Sequence, residues 1–90
     1  MSVPYKVRYA RRAARQLSDE LPAAVAFAAA EFIAGPLADN PHRVGKRLRS
    51  PLAHLHSARR GTFRILYQVD VETESVLIVA VEHRADAYRT

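Results

Sequence analysis

The chain contains no cysteine, so neither a disulfide nor a thiolate-held metal can staple its fold. Its longest nearly uninterrupted apolar run, Leu21 to Ala30, falls well short of the ~20 residues a membrane-spanning helix needs. The opening "MSVPYKVRYA" has no apolar core of signal-peptide length. A soluble cytoplasmic protein without membrane contact is therefore expected. There is no internal repeat, linker or low-complexity tract. No Ser/His/Asp ordering, Gly-rich phosphate loop or paired carboxylates rises above chance. The most informative absence is acid: from residue 40 to residue 69 there is no Asp or Glu.

That acid-free interval is full of cations. It holds Arg43, Lys46, Arg47, Arg49, Arg59, Arg60 and Arg64, with His42, His54 and His56 among them. Solubility alone predicts interspersed signs; segregation favours a positive field that attracts a polyanion. The whole chain has 14 Lys and Arg against nine Asp and Glu, a net charge of +5. Arginine outnumbers lysine twelve to two, which suits bidentate phosphate contacts and stacking on bases. A coding bias toward arginine would give the same count. The combination points to nucleic acid, with an affinity that falls steeply with salt as counterions are released.

Ninety residues, 49% of them apolar, make a single domain spanning 1–90 with a modest core. "YKVRY" alternates polar and apolar and reads as a first strand. In "ARRAARQLSDEL", Ala10, Ala13, Ala14, Leu17 and Leu21 recur at helical spacing, leaving Arg11, Arg12 and Arg15 on the wet side. Pro22 suits the first turn of a second helix, "PAAVAFAAAEFIAG", which Gly35 is expected to end in a left-handed cap. Glu31 is the only charge in that helix. A helix so apolar must be covered on more than one side, by the first helix, the sheet or another protein. Burial within the monomer is the default expectation.

"GPLADNPHRVGK" reads as a turn of helix and then a loop. Three strands follow, at Leu55 to Arg59, Thr62 to Asp70 and Ser75 to His83. In the middle one Phe63, Ile65, Tyr67 and Val69 alternate with Arg64, Leu66 and Gln68, so one face meets a core and Arg64 the other side. "SVLIVAV" is apolar on both faces and suits an interior strand. The expected fold is α+β: an N-terminal strand, a helical hairpin, then a three-stranded antiparallel meander with the helices on one sheet face. The other face is then free to bind.

Four blocks together resemble one family: "YKVRYARRAARQL", "NPHRVGKRLR", "LHSARRGTFRILYQVD" and "VEHRADAYR". They are similar to RelE-type toxins of the RelE/ParE superfamily, the toxic half of type II toxin–antitoxin pairs. The resemblance covers nearly the whole domain. Its most specific parts are a Gly before an aromatic-Arg-apolar-apolar-Tyr strand, and a terminal His-Arg followed by a Tyr. It implies a small antiparallel sheet backed by a helical hairpin, and cleavage of mRNA, commonly on the ribosome. The implied partners are mRNA, the ribosome and a cognate antitoxin whose acidic or amphipathic segment wraps the helices and masks the basic groove. By the same resemblance Arg64 matches the hairpin arginine, Arg84 the C-terminal arginine and Tyr88 the tail tyrosine. Better-known members also carry two lysines on the strand before the turn, where this chain has Leu55 and Ser57.

Metal-free RNA cleavage uses the ribose 2′-hydroxyl as nucleophile, and needs a proton acceptor, a proton donor and cations for the phosphorane. Arg64 and Arg84 suit the third task, since a guanidinium fork matches phosphate oxygens; with a pKa above ~12 they are poor acids or bases. For proton transfer the tail offers His83 and Tyr88, and Tyr88 alternatively stacks on a base. Arg84 has a bland alternative too, a local pair with Glu82 or Asp86. Lys46, Arg47, Arg49, Arg59, Arg60 and Arg89 are the candidate grip on the RNA backbone. His54 and His56 share a face if their segment is extended, but no carboxylate or cysteine completes a ligand set, so no metal and no cofactor are expected. The rival readings within reach of the sequence are a ParE-like toxin that inhibits DNA gyrase by binding and a non-catalytic RNA- or ribosome-binding module.

Overall fold

In the computed structural model, residues 3–83 are described. The chain runs through β1 (Lys6–Tyr9), α1 (Arg11–Arg15), α2 (Ala23–Phe32), β2 (Lys46–Arg47), β3 (His56–Arg60), β4 (Phe63–Asp70) and β5 (Ser75–His83). Each helix widens at its end into a π-helical turn, Gln16–Glu20 after α1 and Ile33–Leu37 after α2. The five strands form one sheet in the order β1-β5-β4-β3-β2, antiparallel except for β1, which pairs parallel with β5. The expected meander is β3-β4-β5, and the apolar strand β5 is interior, between β1 and β4.

Register explains which side chains share a face. Val7 lies opposite Val76, Tyr67 opposite Ile78 and Ile65 opposite Val81; directly opposed residues point the same way. This is the core face. Ile65, Tyr67, Val76, Ile78 and Val81 are fully buried there against Ala13, Ala29, Ile33 and Leu37 from the helical layer. The hairpin joining β3 to β4 has two loop residues, and Gly61 holds φ +53° there, a conformation in which a Cβ is costly. Across the next turn Asp70 Oδ1 accepts from the backbone N–H groups of Glu72 (3.0 Å) and Thr73 (3.2 Å), which fastens the loop into β5. Beyond the end of β1 the N–H of Val81 donates to Gln16 Oε1 at 2.7 Å, so the π-turn after α1 satisfies the strand that β1 no longer covers.

Two helical expectations are corrected. Gly35 does not end the second helix in a left-handed cap. Of the glycines only Gly61 has a positive φ, and the chain stays helical to Asp39. Continuing lets Leu37 become fully buried, worth ~1.5–3 kcal/mol, against about 1 kcal/mol for a helical glycine. The wider turn accommodates the ring of Pro36 within the helix.

The second correction concerns cover. α2 is not buried all round: of its residues only Ala29 and Phe32 are buried, while Ala23, Ala24, Ala28 and Ala30 are exposed and Phe27 is 67% exposed. The sheet and α1 take one side and leave a second apolar side in water. Ala14, counted in the apolar stripe of α1, is exposed as well.

Candidate nucleic-acid interface

The sheet face turned away from the core carries a row of charge. Arg59 on β3 lies opposite Arg64 on β4, which lies opposite Glu82 on β5. Two like charges directly across a strand pair repel, and Glu82 offsets this from the other side. Arg64 Nε donates to Glu82 Oε1 at 3.1 Å, and Nη2 donates to the same oxygen. The Arg64 side chain is 39% exposed and that of Glu82 22%, so the pair sits at the surface with one edge in water. Glu82 therefore partners Arg64; the local pair of Arg84 with Glu82 or Asp86 that the sequence offered lies outside the described residues.

Moving along the same face, Ser57 pairs with Lys46 on one side and Leu66 on the other. Lys46, Arg47, Arg49, Arg59 and Arg60 are all exposed. Because neighbours on a strand alternate, these cations divide between faces. Lys46 and Arg59 join Arg64. Arg60 sits opposite Phe63 on the core side and places its guanidinium 4.8 Å over the Phe32 ring, a cation–π contact that ties the hairpin to α2. His83 likewise sits opposite Phe63, on the face away from Arg64. Arg49 belongs to the loop between β2 and β3. Arg84, Tyr88 and Arg89 lie outside the described residues.

β3 begins at His56, opposite Tyr67, and beside the stretch of β4 that runs on without it lies a groove of about 670 Å³, lined by Arg8, Arg47, His54, His56, Gln68 and Asp70 among others. Arg8 was not among the sequence candidates; it reaches the open face because β1 sits beside β5, with Arg8 opposite Leu77. His54 precedes the start of β3, so it does not share a strand face with His56. His56 stacks on Tyr67 (ring centroids 5.3 Å) and meets the edge of His42 (5.8 Å). Burial pushes its pKa below the usual histidine range, and the nearby His42 and Arg47 push it the same way. Beneath it the Tyr67 hydroxyl donates to the Pro41 carbonyl at 2.6 Å. Burial raises that phenol to about 12, so it is a structural donor and not an acid in the site.

Both the sequence and the fold, a five-stranded sheet backed by a helical hairpin, are matched by known proteins. The family model described as ParE toxin of type II toxin-antitoxin system, parDE, matches residues 7–88. The chain belongs to the RelE/ParE family of toxins. Toxin RelG of Mycobacterium tuberculosis is 49% identical over 87 residues, covering 97% of this chain and 99% of that one. Toxin RelE of the same organism is 46% identical over 86 residues, covering 96% and 88%. Among solved structures, the crystal structure of the toxin-antitoxin complex RelBE2 from M. tuberculosis matches with a TM-score of 0.87 and 49% identity, covering 91% of this chain and 100% of that one. This RelE-like toxin of a type II toxin–antitoxin system thus has the α+β fold that its sequence implies, and its structural relative is held in complex with an antitoxin.

Proposed function

We propose that the toxin is an endoribonuclease that cleaves mRNA, on the ribosome, by metal-free attack of the 2′-hydroxyl. The observation that carries this reading is the row Arg59–Arg64–Glu82 on the open face. It offers guanidiniums to a phosphodiester while a carboxylate holds one of them in place. A guanidinium already fixed loses little freedom when charge develops on the phosphorane. Arg84 joins Arg64 in that role, Tyr88 protonates the leaving oxygen or stacks on a base, and Lys46 and Arg59 grip the backbone, with Arg47, Arg49 and Arg89 extending the contact. His83 receives no step, since it faces away from Arg64.

The antitoxin is the second partner. The exposed side of α2 around Phe27 is an apolar strip suited to an amphipathic segment, and an acidic stretch of the same partner would cover the cationic face. A second reading, inhibition of DNA gyrase by binding, is favoured by the name of the matching family model. Brief induction in cells separates the two. Primer extension that finds codon-phased cuts in translated mRNA supports the ribonuclease; intact message with loss of DNA supercoiling supports the gyrase inhibitor.

A further inference from the structure

The proposed reaction needs something to take the proton of the 2′-hydroxyl, and the guanidiniums of the row are poor bases. We infer that Glu82 is that general base. The inference rests on the ribonuclease reading above and names a catalytic residue within it.

Three features of the arrangement lead there. First, among the described residues Glu82 is the acid that stands directly across from Arg64. Second, the two contacts both fall on Oε1, from Nε and Nη2, while Oε2 accepts no hydrogen bond from the described residues. One oxygen orients the carboxylate and the other is left to accept a proton. Third, the contacts occupy only the side edge of the guanidinium. Of its five N–H groups, both on Nη1 and one on Nη2 are left to grip a phosphate end-on. A phosphodiester held there brings the adjoining ribose toward the carboxylate.

The step balances without any further reagent. Glu82 Oε2 takes the proton from the 2′-hydroxyl as O2′ forms its bond to phosphorus. The P–O5′ bond breaks with its electrons on O5′, which takes a proton from the general acid, the role proposed for Tyr88. The products are a 2′,3′-cyclic phosphate and a 5′-hydroxyl. Arg64 remains charged throughout and stabilises the phosphorane beside the protonated Glu82. The same pair thus serves two purposes, since Glu82 positions Arg64 and Arg64 keeps the carboxylate aimed.

The test is single-turnover cleavage of ribosome-bound mRNA by purified wild type, Glu82→Gln and Glu82→Asp, with affinity measured on the same message carrying a 2′-deoxy nucleotide at the cut. Glutamine keeps an oxygen for Arg64 but cannot accept the proton. We expect Glu82→Gln to lower the rate ~10²- to 10⁴-fold, the usual share of general-base catalysis, with affinity changed less than twofold. Glu82→Asp should fall between the two. Wild-type rates in Glu82→Gln overturn the inference and leave the ribonuclease reading standing. A loss confined to affinity overturns it too, because Glu82 then only places Arg64. If wild type itself leaves the message intact, the ribonuclease reading falls and takes this inference with it.

Discussion

Arg64 and Glu82 face one another across β4 and β5, with Nε of the arginine 3.1 Å from Oε1 of the glutamate. Exposed ion pairs of this kind contribute ~0–1 kcal/mol to stability, and both partners here are partly exposed. Stability is therefore a weak reason for the pair to exist. It makes better sense as a device for holding one arginine rigid on an otherwise repulsive cationic face, where a second arginine, Arg59, lies directly opposite.

Phe27→Asp should leave the toxin's melting temperature nearly unchanged, because the side chain is 67% exposed and surface changes usually stay within ±0.5 kcal/mol. Affinity for the cognate antitoxin should fall at least ~tenfold, as expected when an apolar anchor is lost from an interface. Calorimetric titration with the antitoxin checks this; unchanged affinity places the antitoxin elsewhere.

Tyr67→Phe removes the donor to the Pro41 carbonyl, which lies 2.6 Å from the hydroxyl in a buried setting. Leaving that acceptor unsatisfied should cost ~1–3 kcal/mol, read as a lower denaturation midpoint. The pH dependence supplies a second signature. A phenol raised in the fold to about 12 contributes stability that is complete below ~10, the unfolded value, and is lost as pH rises toward 12. Wild type should lose stability across that alkaline window more steeply than the phenylalanine variant.

Gly45→Ala should destabilise by about 1–3 kcal/mol, the usual cost of overpacking. A Cβ at Gly45 would collide with the Tyr67 hydroxyl and approach the Ser57 carbonyl oxygen to 2.8 Å. Neither neighbour yields easily, since the hydroxyl is hydrogen-bonded and the carbonyl is backbone of β3. A melting temperature equal to wild type contradicts the close seating of this loop on the sheet.

His56 gives an acid-side signature of opposite sense to Tyr67. Its folded pKa is depressed by burial and then by His42 and Arg47, so the unfolded chain takes up the proton first. The stability it contributes is complete above ~6.5 and lost as pH falls through the lower folded value. In thermal melts between pH 7.5 and 5, His56→Gln should therefore be most inferior to wild type at the neutral end. A gap that does not change with pH contradicts this.

The sequence made much of this legible because strands with one buried face write a period of two. Phe63, Ile65 and Tyr67 alternate with Arg64 and Leu66, and that alone put Arg64 on the open side. What escaped had no period to write. β2 is two residues long, too short for any pattern. The exposed side of α2 was hidden because an alanine-rich helix looks the same whether covered or bare, and Gly35-Pro36 looks like a stop until the burial of Leu37 is known. Glu82 escaped as Arg64's partner for a different reason. Their pairing depends on the register of β4 on β5, which shifts between Leu66 and Tyr67, and no count along one strand reveals a bulge.

The most direct measurement of the central claim is cleavage of ribosome-programmed mRNA by purified wild type and by Arg64→Ala, Arg84→Ala, each shown to melt cooperatively and to bind antitoxin. Loss of a preorganised donor to developing charge typically costs ~10²–10³ in rate. Wild type should give phased cuts and the double variant a loss at least that large, with its fold intact. Cleavage by the double variant at the wild-type rate would show that these arginines do not hold the scissile phosphate.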